Sequence, residues 1–476
     1  MDKSRLEKLN RAFTPKCVVV VGAKKDNNCS FLRSVSTLKG NYYSVQIDPN
    51  EIPGIEELGI KNFSGLSEIH EPIDYVICAV PRAISPRIVA DCIKNDVAAV
   101  TLYTSGFAET QTEDGIRLSK DITEMANAAN LNLIGPNCMG IFNPSVGLRF
   151  GAEQYTDAKG PVGFISQSGS NASGFVQSGY LNGVYATKVV SFGNGYVLDA
   201  ADFLEYFALD EDTKIIGAYI EGVPRWRPFF DTLKEVTKKK PVIIWKGGRT
   251  GVGARMTSSH TGSLAVDSAL WDAAMRQCGV IQASNLEQLI DVAKALIHVG
   301  PFTGTGMALT GGAGGQSVAI ADAFADAGLE VPMLSKSSYE KIASFFVLIG
   351  SSFNNPIDMG QNRREFIAIM DILAEDENID AVVMQMSFVM SLLDPQRMEE
   401  TIATLLDFKE KSKKPLILAM GSNFPPEQAQ AVYDLELRFR EHGIPAYPSF
   451  ERAALAIKKL TDYYKFHTEE AKMRMA

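Results

Sequence analysis

The chain has 476 residues, which predicts about three domains, and a formal net charge of -9, which disfavours a nucleic-acid-binding protein. No apolar run approaches the roughly 20 residues of a membrane helix, and the charged N-terminus is unlike a signal peptide. The six cysteines are scattered without a Cys-x-x-Cys pair, so we predict a cytoplasmic chain with no disulfide and no metal site.

Apolar strands alternate with helical patterns in the N-terminal part of the chain. Strands are predicted at residues 16–22, 75–80, 97–103 and 131–134, with a helix at 84–93 between the second and third. Strands that are apolar on both faces imply a parallel sheet that helices cover on both sides. The G-x-G-x-x-G fingerprint is absent after the first strand, which makes a nicotinamide-dependent oxidoreductase a disfavoured alternative.

The carboxyl ends of these strands form the first candidate ligand site. Ligands of parallel α/β sheets bind at that edge, and the glycines there suit close approach of an extended ligand to the backbone. The same residues also suit ordinary turns between strands and helices. The candidates are Gly22, Lys24, Lys25, Val80, Pro81, Ser105, Gly106, Asn137 and Cys138.

A second α/β unit follows a linker at residues 143–160. Its first strand, at 162–165, runs directly into Ser166, Gln167, Ser168 and Gly169, and the residues beyond them favour a helix. A strand, a Ser/Gly turn and a helix N-terminus bring free N–H groups and hydroxyls together around an anion. Because serine also caps helices for structural reasons, this loop has a purely structural alternative.

Further strands of the second unit are predicted at residues 187–192, 215–220 and 241–245. Glu221 stands at the carboxyl end of the second of these strands, where a carboxylate can face a ligand or a cationic histidine. The alternative for Glu221 is a solvated loop charge.

The stretch best suited to chemistry comes next. Four glycines within residues 247–253 form a loop with little intrinsic stiffness, and His260 follows with Ser258 and Ser259 immediately before it. Hydroxyl groups suit an anion with several oxygens, and a histidine among them can bond covalently to phosphorus. For an isolated loop of this kind, a glycine-rich surface turn is the alternative.

A third α/β unit repeats this design. Its first strand, at residues 307–310, runs into a glycine-rich loop and then a helix, and later strands are predicted at 381–386 and 415–420. The loop suits a phosphate group, or only a turn from strand to helix. The candidate phosphate ligands in it are Gly312, Ala313, Gly314 and Gly315.

The sequence Ser-Ser-His-Thr-Gly-Ser-Leu-Ala around His260 resembles the phosphohistidine segment of the NDP-forming acyl-CoA synthetases. That superfamily includes ADP-forming acetyl-CoA synthetase and the alpha subunit of succinyl-CoA synthetase. Further fragments that resemble the family occur, in family order, at residues 135–144, 165–169, 191–194, 219–222 and 355–358. Each fragment is modestly specific, whereas their order and spacing along essentially the whole chain are strongly so.

The resemblance implies an α/β fold of three domains. A Rossmann-like CoA-binding domain is expected over residues 1–145, and a flavodoxin-like, doubly wound ligase domain with the phosphohistidine loop over 146–300. A second flavodoxin-like ligase domain is expected over 301–476. Since no segment is left for the family's ATP-grasp domain, ADP or ATP and Mg²⁺ are expected on a separate beta subunit, in a hetero-oligomer of alpha and beta chains.

The resemblance also implies a reaction. Acyl-CoA and phosphate would give acyl phosphate and CoA, the phosphoryl group would pass to His260, and ADP on the partner would receive it, leaving a carboxylic acid and ATP. Glu221 would orient the histidine ring. The loops around Ser166–Gly169, Ser258–Ser259 and Gly312–Gly315 would bind phosphate, and the strand-end candidates from Gly22 to Cys138 would bind CoA.

Two departures from the family pattern matter. The Asn-Pro-Lys that usually follows the second strand of the family is Asp48-Pro49-Asn50 here, so one contact to the CoA nucleotide is expected to be lost, with Lys24 or Lys25 as the compensating charge. The segment 193–197 is less charged than usual, which favours an aryl or longer acyl group over acetate. The remaining alternative is a regulatory subunit that binds acyl-CoA without phosphoryl transfer.

Overall fold

The structure is a computed structural model that describes residues 1–261, 267–311, 314–359, 362–386, 395–421 and 426–475. The side chains of residues 258–261, 363, 395, 397 and 471–475 lie outside that description. The chain divides into two compact units, Met1–Ile290 and Asp291–Ala476. Among the described residues, no helix is both long enough and apolar enough to cross a lipid bilayer.

The first sheet has six parallel strands in the order β3-β2-β1-β4-β5-β6, the classical dinucleotide-fold order. Its strands are β1 (Cys17–Val21), β2 (Asn41–Val45), β3 (Asn62–Phe63), β4 (Tyr75–Cys78), β5 (Ala99–Leu102) and β6 (Asn132–Ile134). Its helices are α1 (Lys3–Phe13), α2 (Ser30–Ser34), α3 (Ile52–Glu56), α4 (Ser85–Lys94) and α5 (Glu113–Ala128). Every residue of β1 is buried because helices cover both faces, which confirms the prediction made from its apolar run.

The second sheet lies in the same unit and has the order β12-β11-β10-β8-β9-β7. Its strands are β7 (Gly140–Phe142), β8 (Val162–Ser166), β9 (Ala186–Ser191), β10 (Ile215–Ile220), β11 (Val242–Lys246) and β12 (Ile281–Ala283). Its helices are α6 (Gly169–Leu181), α7 (Ala200–Leu209), α8 (Trp226–Val236), α9 (Gly251–Thr261), α10 (Ser268–Gln277) and α11 (Leu286–His298). Strands β8 to β12 are parallel in the flavodoxin-like order, as predicted.

The third sheet belongs to the second unit and is parallel in the order β13-β14-β15-β16. Its strands are β13 (Met307–Thr310), β14 (Ala381–Gln385), β15 (Leu416–Ala419) and β16 (Ala446–Tyr447). The described helices are α12 (Gly315–Asp326), α13 (Lys336–Ala343), α14 (Phe366–Glu375), α15 (Pro395–Lys411), α16 (Ala429–Glu441) and α17 (Phe450–Met475). The α/β class predicted for this part of the chain is confirmed.

Strand β7 connects the first two sheets. It pairs antiparallel with β9 at the edge of the second sheet, although its residues fall within the stretch 1–145 predicted as the first domain. The buried hydroxyl of Tyr75 in β4 lies 2.6 Å from the Thr101 hydroxyl and accepts a hydrogen bond of 3.1 Å from the N–H of Ile141 in β7. A side chain of the first sheet therefore holds the edge strand of the second.

Replacing Tyr75 with phenylalanine is expected to lower the free energy of unfolding by about 1–3 kcal/mol, because the buried Ile141 N–H loses its acceptor. Urea unfolding of the purified chain measures this change. Tyr339→Phe is the matched control, since Tyr339 is 42% exposed and its replacement should change stability by less than about 0.5 kcal/mol. Equal stabilities of the two variants would contradict the structural role of the Tyr75 hydroxyl.

Candidate functional site

A cavity of about 660 Å³ lies at the carboxyl ends of β1, β4 and β5. Seven of the nine candidate residues from the strand ends line it, namely Gly22, Lys24, Val80, Pro81, Ser105, Asn137 and Cys138. Residues that were not among the candidates for this ligand also line it, namely Asn27, Phe31, Ala79, Tyr103, Thr104, Met139 and Gly169. We call this space the strand-end cavity.

The glycine after β1 keeps the strand-end cavity open. Gly22 has a φ of 85°, a conformation that residues with side chains rarely adopt, and a Cβ there would lie 2.8 Å from Cγ1 of Val80. The predicted need for glycine at this strand end therefore has a local cause, the close approach of the loops that follow β1 and β4.

Two of the candidates do not line this cavity. Lys25 begins a short 3₁₀ turn, and its N–H donates a 2.5 Å hydrogen bond to the Glu51 carboxylate. The N–H of Gly106 donates to the Glu109 carboxylate at 2.6 Å, and the guanidinium of Arg82 donates to the Gly106 carbonyl. Of the two lysines proposed to compensate for the altered nucleotide contact, only Lys24 borders the cavity.

Cys138 forms part of the wall. It is 4% exposed, and burial raises the pKa of its thiol to about 12, so the thiol stays protonated at neutral pH. Cys138 therefore contacts a ligand as a small apolar group and has no nucleophilic role in this arrangement.

The N-terminus of helix α6 reaches the strand-end cavity. Gly169 begins the helix and lines the cavity, and Ser168 caps it by accepting a 3.3 Å hydrogen bond from the N–H of Asn171. Among the described residues, no hydrogen-bond acceptor is recorded for the N–H groups of Gly169 and Ser170. Such groups carry the positive end of the helix dipole, an arrangement that favours anions.

Ser166 and Gln167 shape this loop from within. The hydroxyl of buried Ser166 donates to the carbonyl of Ser168 at 2.7 Å and accepts from its N–H at 3.1 Å. The side-chain oxygen of Gln167 accepts hydrogen bonds from the N–H groups of Glu221 and Gly222, the latter at 2.9 Å. Both residues, predicted as phosphate ligands, thus make internal contacts: Ser166 within its own loop, and Gln167 between the ends of β8 and β10.

Glu221 lies at the carboxyl end of β10, as predicted, with 9% of its surface exposed. The pKa of Tyr219 is raised by burial and by the neighbouring Glu221 carboxylate, which forms a hydrogen bond with the Tyr219 hydroxyl. The ammonium group of Lys246 donates to the Glu221 carbonyl at 2.7 Å and lies over the Trp271 ring. The Glu221 backbone is therefore anchored on both sides, through its N–H by Gln167 and through its carbonyl by Lys246.

His260 lies in the last turn of α9, which begins at Gly251. The predicted glycine-rich loop is therefore shorter than expected, because two of its four glycines, Gly251 and Gly253, belong to the helix. The side chains of His260, Ser258 and Ser259 lie outside the described residues. Gly312 and Ala313, in the second compact unit, also lie outside them. In the second compact unit, the N–H of Gly314 donates to the Asp358 carboxylate at 2.6 Å, and α12 begins at Gly315. The fragment 355–358, which resembles the family, therefore contacts the start of α12 through Asp358.

Comparison with known proteins decides the family. A CoA binding domain model matches residues 16–144, and a succinyl-CoA ligase like flavodoxin domain model matches residues 159–296. The alpha subunit of acetate–CoA ligase [ADP-forming] II from Pyrococcus furiosus is 32% identical over 461 residues, which cover 96% of this chain and 98% of that subunit. The chain belongs to the ADP-forming acetate–CoA ligase family.

Two further similarities support this membership. Acetate–CoA ligase [ADP-forming] I of Archaeoglobus fulgidus is also 32% identical, over 97% of this chain, and the chain spans 64% of the length of that relative. The solved structure of the dinucleotide-forming acetyl-coenzyme A synthetase 1 of Ca. Korarchaeum cryptofilum, in complex with phosphate and ADP, matches with a TM-score of 0.82. The match has 28% identity and covers 98% of each chain.

The segment matched by the CoA binding domain model contains all nine strand-end candidates. Sequence patterns identified those residues because they directly follow apolar strands. Tyr103 and Thr104 also follow β5 and were accessible to the same argument, whereas Asn27 and Phe31 carry no sequence signal of their own. The segment 193–197, considered for the acyl group, does not line the strand-end cavity, so the acyl group stays a prediction.

Proposed function

We propose that this chain is the alpha subunit of an ADP-forming acyl-CoA synthetase, an acid–CoA ligase. It interconverts acyl-CoA, ADP and phosphate with a carboxylic acid, CoA and ATP. The observation that carries the proposal is the junction at Gly169, which both lines the strand-end cavity and begins helix α6. A thioester in the cavity and a phosphate at the helix N-terminus would meet at this point.

CoA occupies the strand-end cavity in this proposal. The loops after β1 and β4 approach each other at Gly22 and Val80, and both residues line the cavity. Lys24 supplies the cationic group of the lining. An extended, multiply charged ligand fits a polar-edged groove of this kind at the carboxyl ends of parallel strands.

Phosphate binds at the N-terminus of α6, at the N–H groups of Gly169 and Ser170. It attacks the thioester carbonyl carbon, the carbon–sulfur bond breaks, and CoA leaves as a thiolate that takes up a proton. The acyl phosphate that forms keeps its charged oxygens at the same N–H groups, which stabilise negative charge without rearrangement.

The phosphoryl group then passes to His260. A neutral ring nitrogen attacks phosphorus, and the bond from phosphorus to the acyl oxygen breaks, so that the carboxylic acid leaves as its anion. Glu221 stabilises the positive charge on the phosphorylated ring through the other nitrogen, because its backbone anchors hold the carboxylate at the end of β10. Ser258 and Ser259, just before His260, are proposed to hold the phosphate oxygens, as are residues Gly312–Gly315.

ADP completes the reaction on another chain. We assign the nucleotide and Mg²⁺ to an ATP-grasp beta subunit that forms a cytoplasmic hetero-oligomer with this chain. The naming of the Pyrococcus furiosus relatives as alpha subunits supports that assignment. Gly247 and Gly248, which precede α9, give this helix and His260 at its end the freedom that a carrier between two sites needs.

Labelled inorganic phosphate tests the proposal. The purified chain is incubated with the label and a panel of acetyl-, longer acyl- and aryl-CoA thioesters, and the protein is examined for acid-labile, base-stable phosphate. Labelling is expected with at least one thioester, and the thioester that labels fastest identifies the acyl class. Absence of label in the presence of the partner subunit and ATP as well would favour the regulatory subunit that only binds acyl-CoA.

A further inference from the structure

A second cavity, of about 590 Å³, adjoins the strand-end cavity at Gly22, Val80 and Pro81. One wall comes from the end of β2 and the loop after β3, and the other comes from helix α4. We call it the α4 cavity. Because the two cavities share three residues, one extended ligand can occupy both.

Helix α4 presents two cations to this cavity. Arg87 and Lys94 both line it and both are exposed, and neither forms an ion pair with a described residue. Asp91 also lines the cavity, and its two oxygens accept hydrogen bonds from the Leu66 N–H at 3.3 Å and the Asn95 amide at 3.0 Å. The charged groups of the α4 cavity are therefore two cations and one carboxylate that is already hydrogen-bonded, which leaves a net positive charge.

Apolar groups face each other across the same cavity. Ile47, after β2, is 68% exposed, and Ile84, before α4, is 44% exposed, and both line the cavity. Exposed isoleucines at a cavity wall provide apolar surface for a planar base, and cations nearby suit a phosphate group. This combination matches the nucleotide end of CoA, an adenosine with phosphates on the 3′ and 5′ oxygens.

The loop after β2 supplies no cation to the α4 cavity. The Asp48 carboxylate accepts hydrogen bonds of 2.9 Å from the backbone N–H and the side-chain amide of Asn50, and neither residue lines the cavity. A phosphate in the α4 cavity would thus meet positive charge from the helix side and not from this loop.

We propose that Arg87, assisted by Lys94, binds the 3′-phosphate of CoA and makes the chain select CoA over dephospho-CoA. This inference rests on the proposed function, because it names residues that hold one end of the same substrate. It replaces Lys24 and Lys25 as the compensating charges for the altered Asp48-Pro49-Asn50 loop. A guanidinium suits this task because it remains charged and can donate two parallel hydrogen bonds to a phosphate.

The test compares calorimetric binding of CoA and of dephospho-CoA, which lacks the 3′-phosphate, to the full-length chain. Arg87→Gln is expected to weaken CoA binding about tenfold to a hundredfold, since hydrogen bonds to charged groups contribute that range. The same change should leave dephospho-CoA binding within about twofold of the wild type. Lys94→Gln should reduce the CoA preference in the same direction by a smaller factor.

Lys120→Gln on α5 is the matched control, because it removes one exposed positive charge from the same domain without touching either cavity. Equal wild-type affinities for the two ligands, or a CoA preference unchanged by Arg87→Gln, would overturn the inference while the proposed function stands. A wild-type chain that binds neither ligand would overturn both. Circular dichroism of each variant confirms that the exposed substitutions leave the fold intact.

Discussion

His260→Ala is expected to abolish acyl-CoA-dependent labelling of the chain by phosphate. The imidazole nitrogen is the proposed acceptor of the phosphoryl group, and alanine offers no replacement nucleophile. The experiment measures the rate at which acid-labile, base-stable phosphate appears on the protein. For His260→Ala this rate is expected to be at least about a thousandfold below the wild-type rate, because the covalent acceptor is removed. CoA affinity should be unchanged, because CoA is placed in the strand-end cavity by other residues.

His442→Ala provides the matched control for this experiment. His442 is exposed at the end of helix α16 and lies in the second compact unit, so its loss should leave labelling intact. Undiminished labelling of His260→Ala would exclude this residue as the carrier. Loss of labelling in both variants would mean that the substitutions perturb the protein more broadly, and CoA binding by each variant would reveal such damage.

Glu221→Gln is expected to slow phosphohistidine formation about a hundredfold or more. This is the range found when a charged group that stabilises the reacting side chain is removed. Glutamine keeps the size of the side chain and removes its negative charge. The position of the backbone should survive, because Gln167 holds its N–H and Lys246 holds its carbonyl independently of the side chain. The reduction therefore reports on charge rather than on collapse of the loop.

Tyr219→Phe separates the carboxylate from its hydroxyl neighbour. This variant removes the hydrogen bond between the Tyr219 hydroxyl and Glu221 and keeps the carboxylate, so a few-fold change in the single-turnover labelling rate is expected. If Glu221→Gln labelled at the wild-type rate, the carboxylate would have no part in the reaction. A larger loss in Tyr219→Phe than in Glu221→Gln would instead assign the dominant contribution to the hydroxyl.

The amino-acid sequence alone predicted most of the strands and the sheet edge at which ligands are expected. Runs such as Cys17–Val21 are apolar on both faces, so they form buried parallel strands whatever their neighbours are, and the residues after them must lie at one edge of the sheet. The α/β class and half of the residues that line the strand-end cavity followed from this local rule. The family followed from the motif around His260 and the order of the other fragments.

Tertiary structure decided how distant segments meet. Three features join residues from different strands or helices. They are the pairing of β7 with β9, the hydrogen bonds of Gln167 and Lys246 to the Glu221 backbone, and the cationic side of the α4 cavity. No periodicity carries this information, because an exposed Arg87 on an amphipathic helix has the same local pattern whether it faces bulk solvent or a ligand cavity. Only the packing of α4 beside the ends of β1 and β2 gives that arginine a neighbouring cavity and therefore a proposed role.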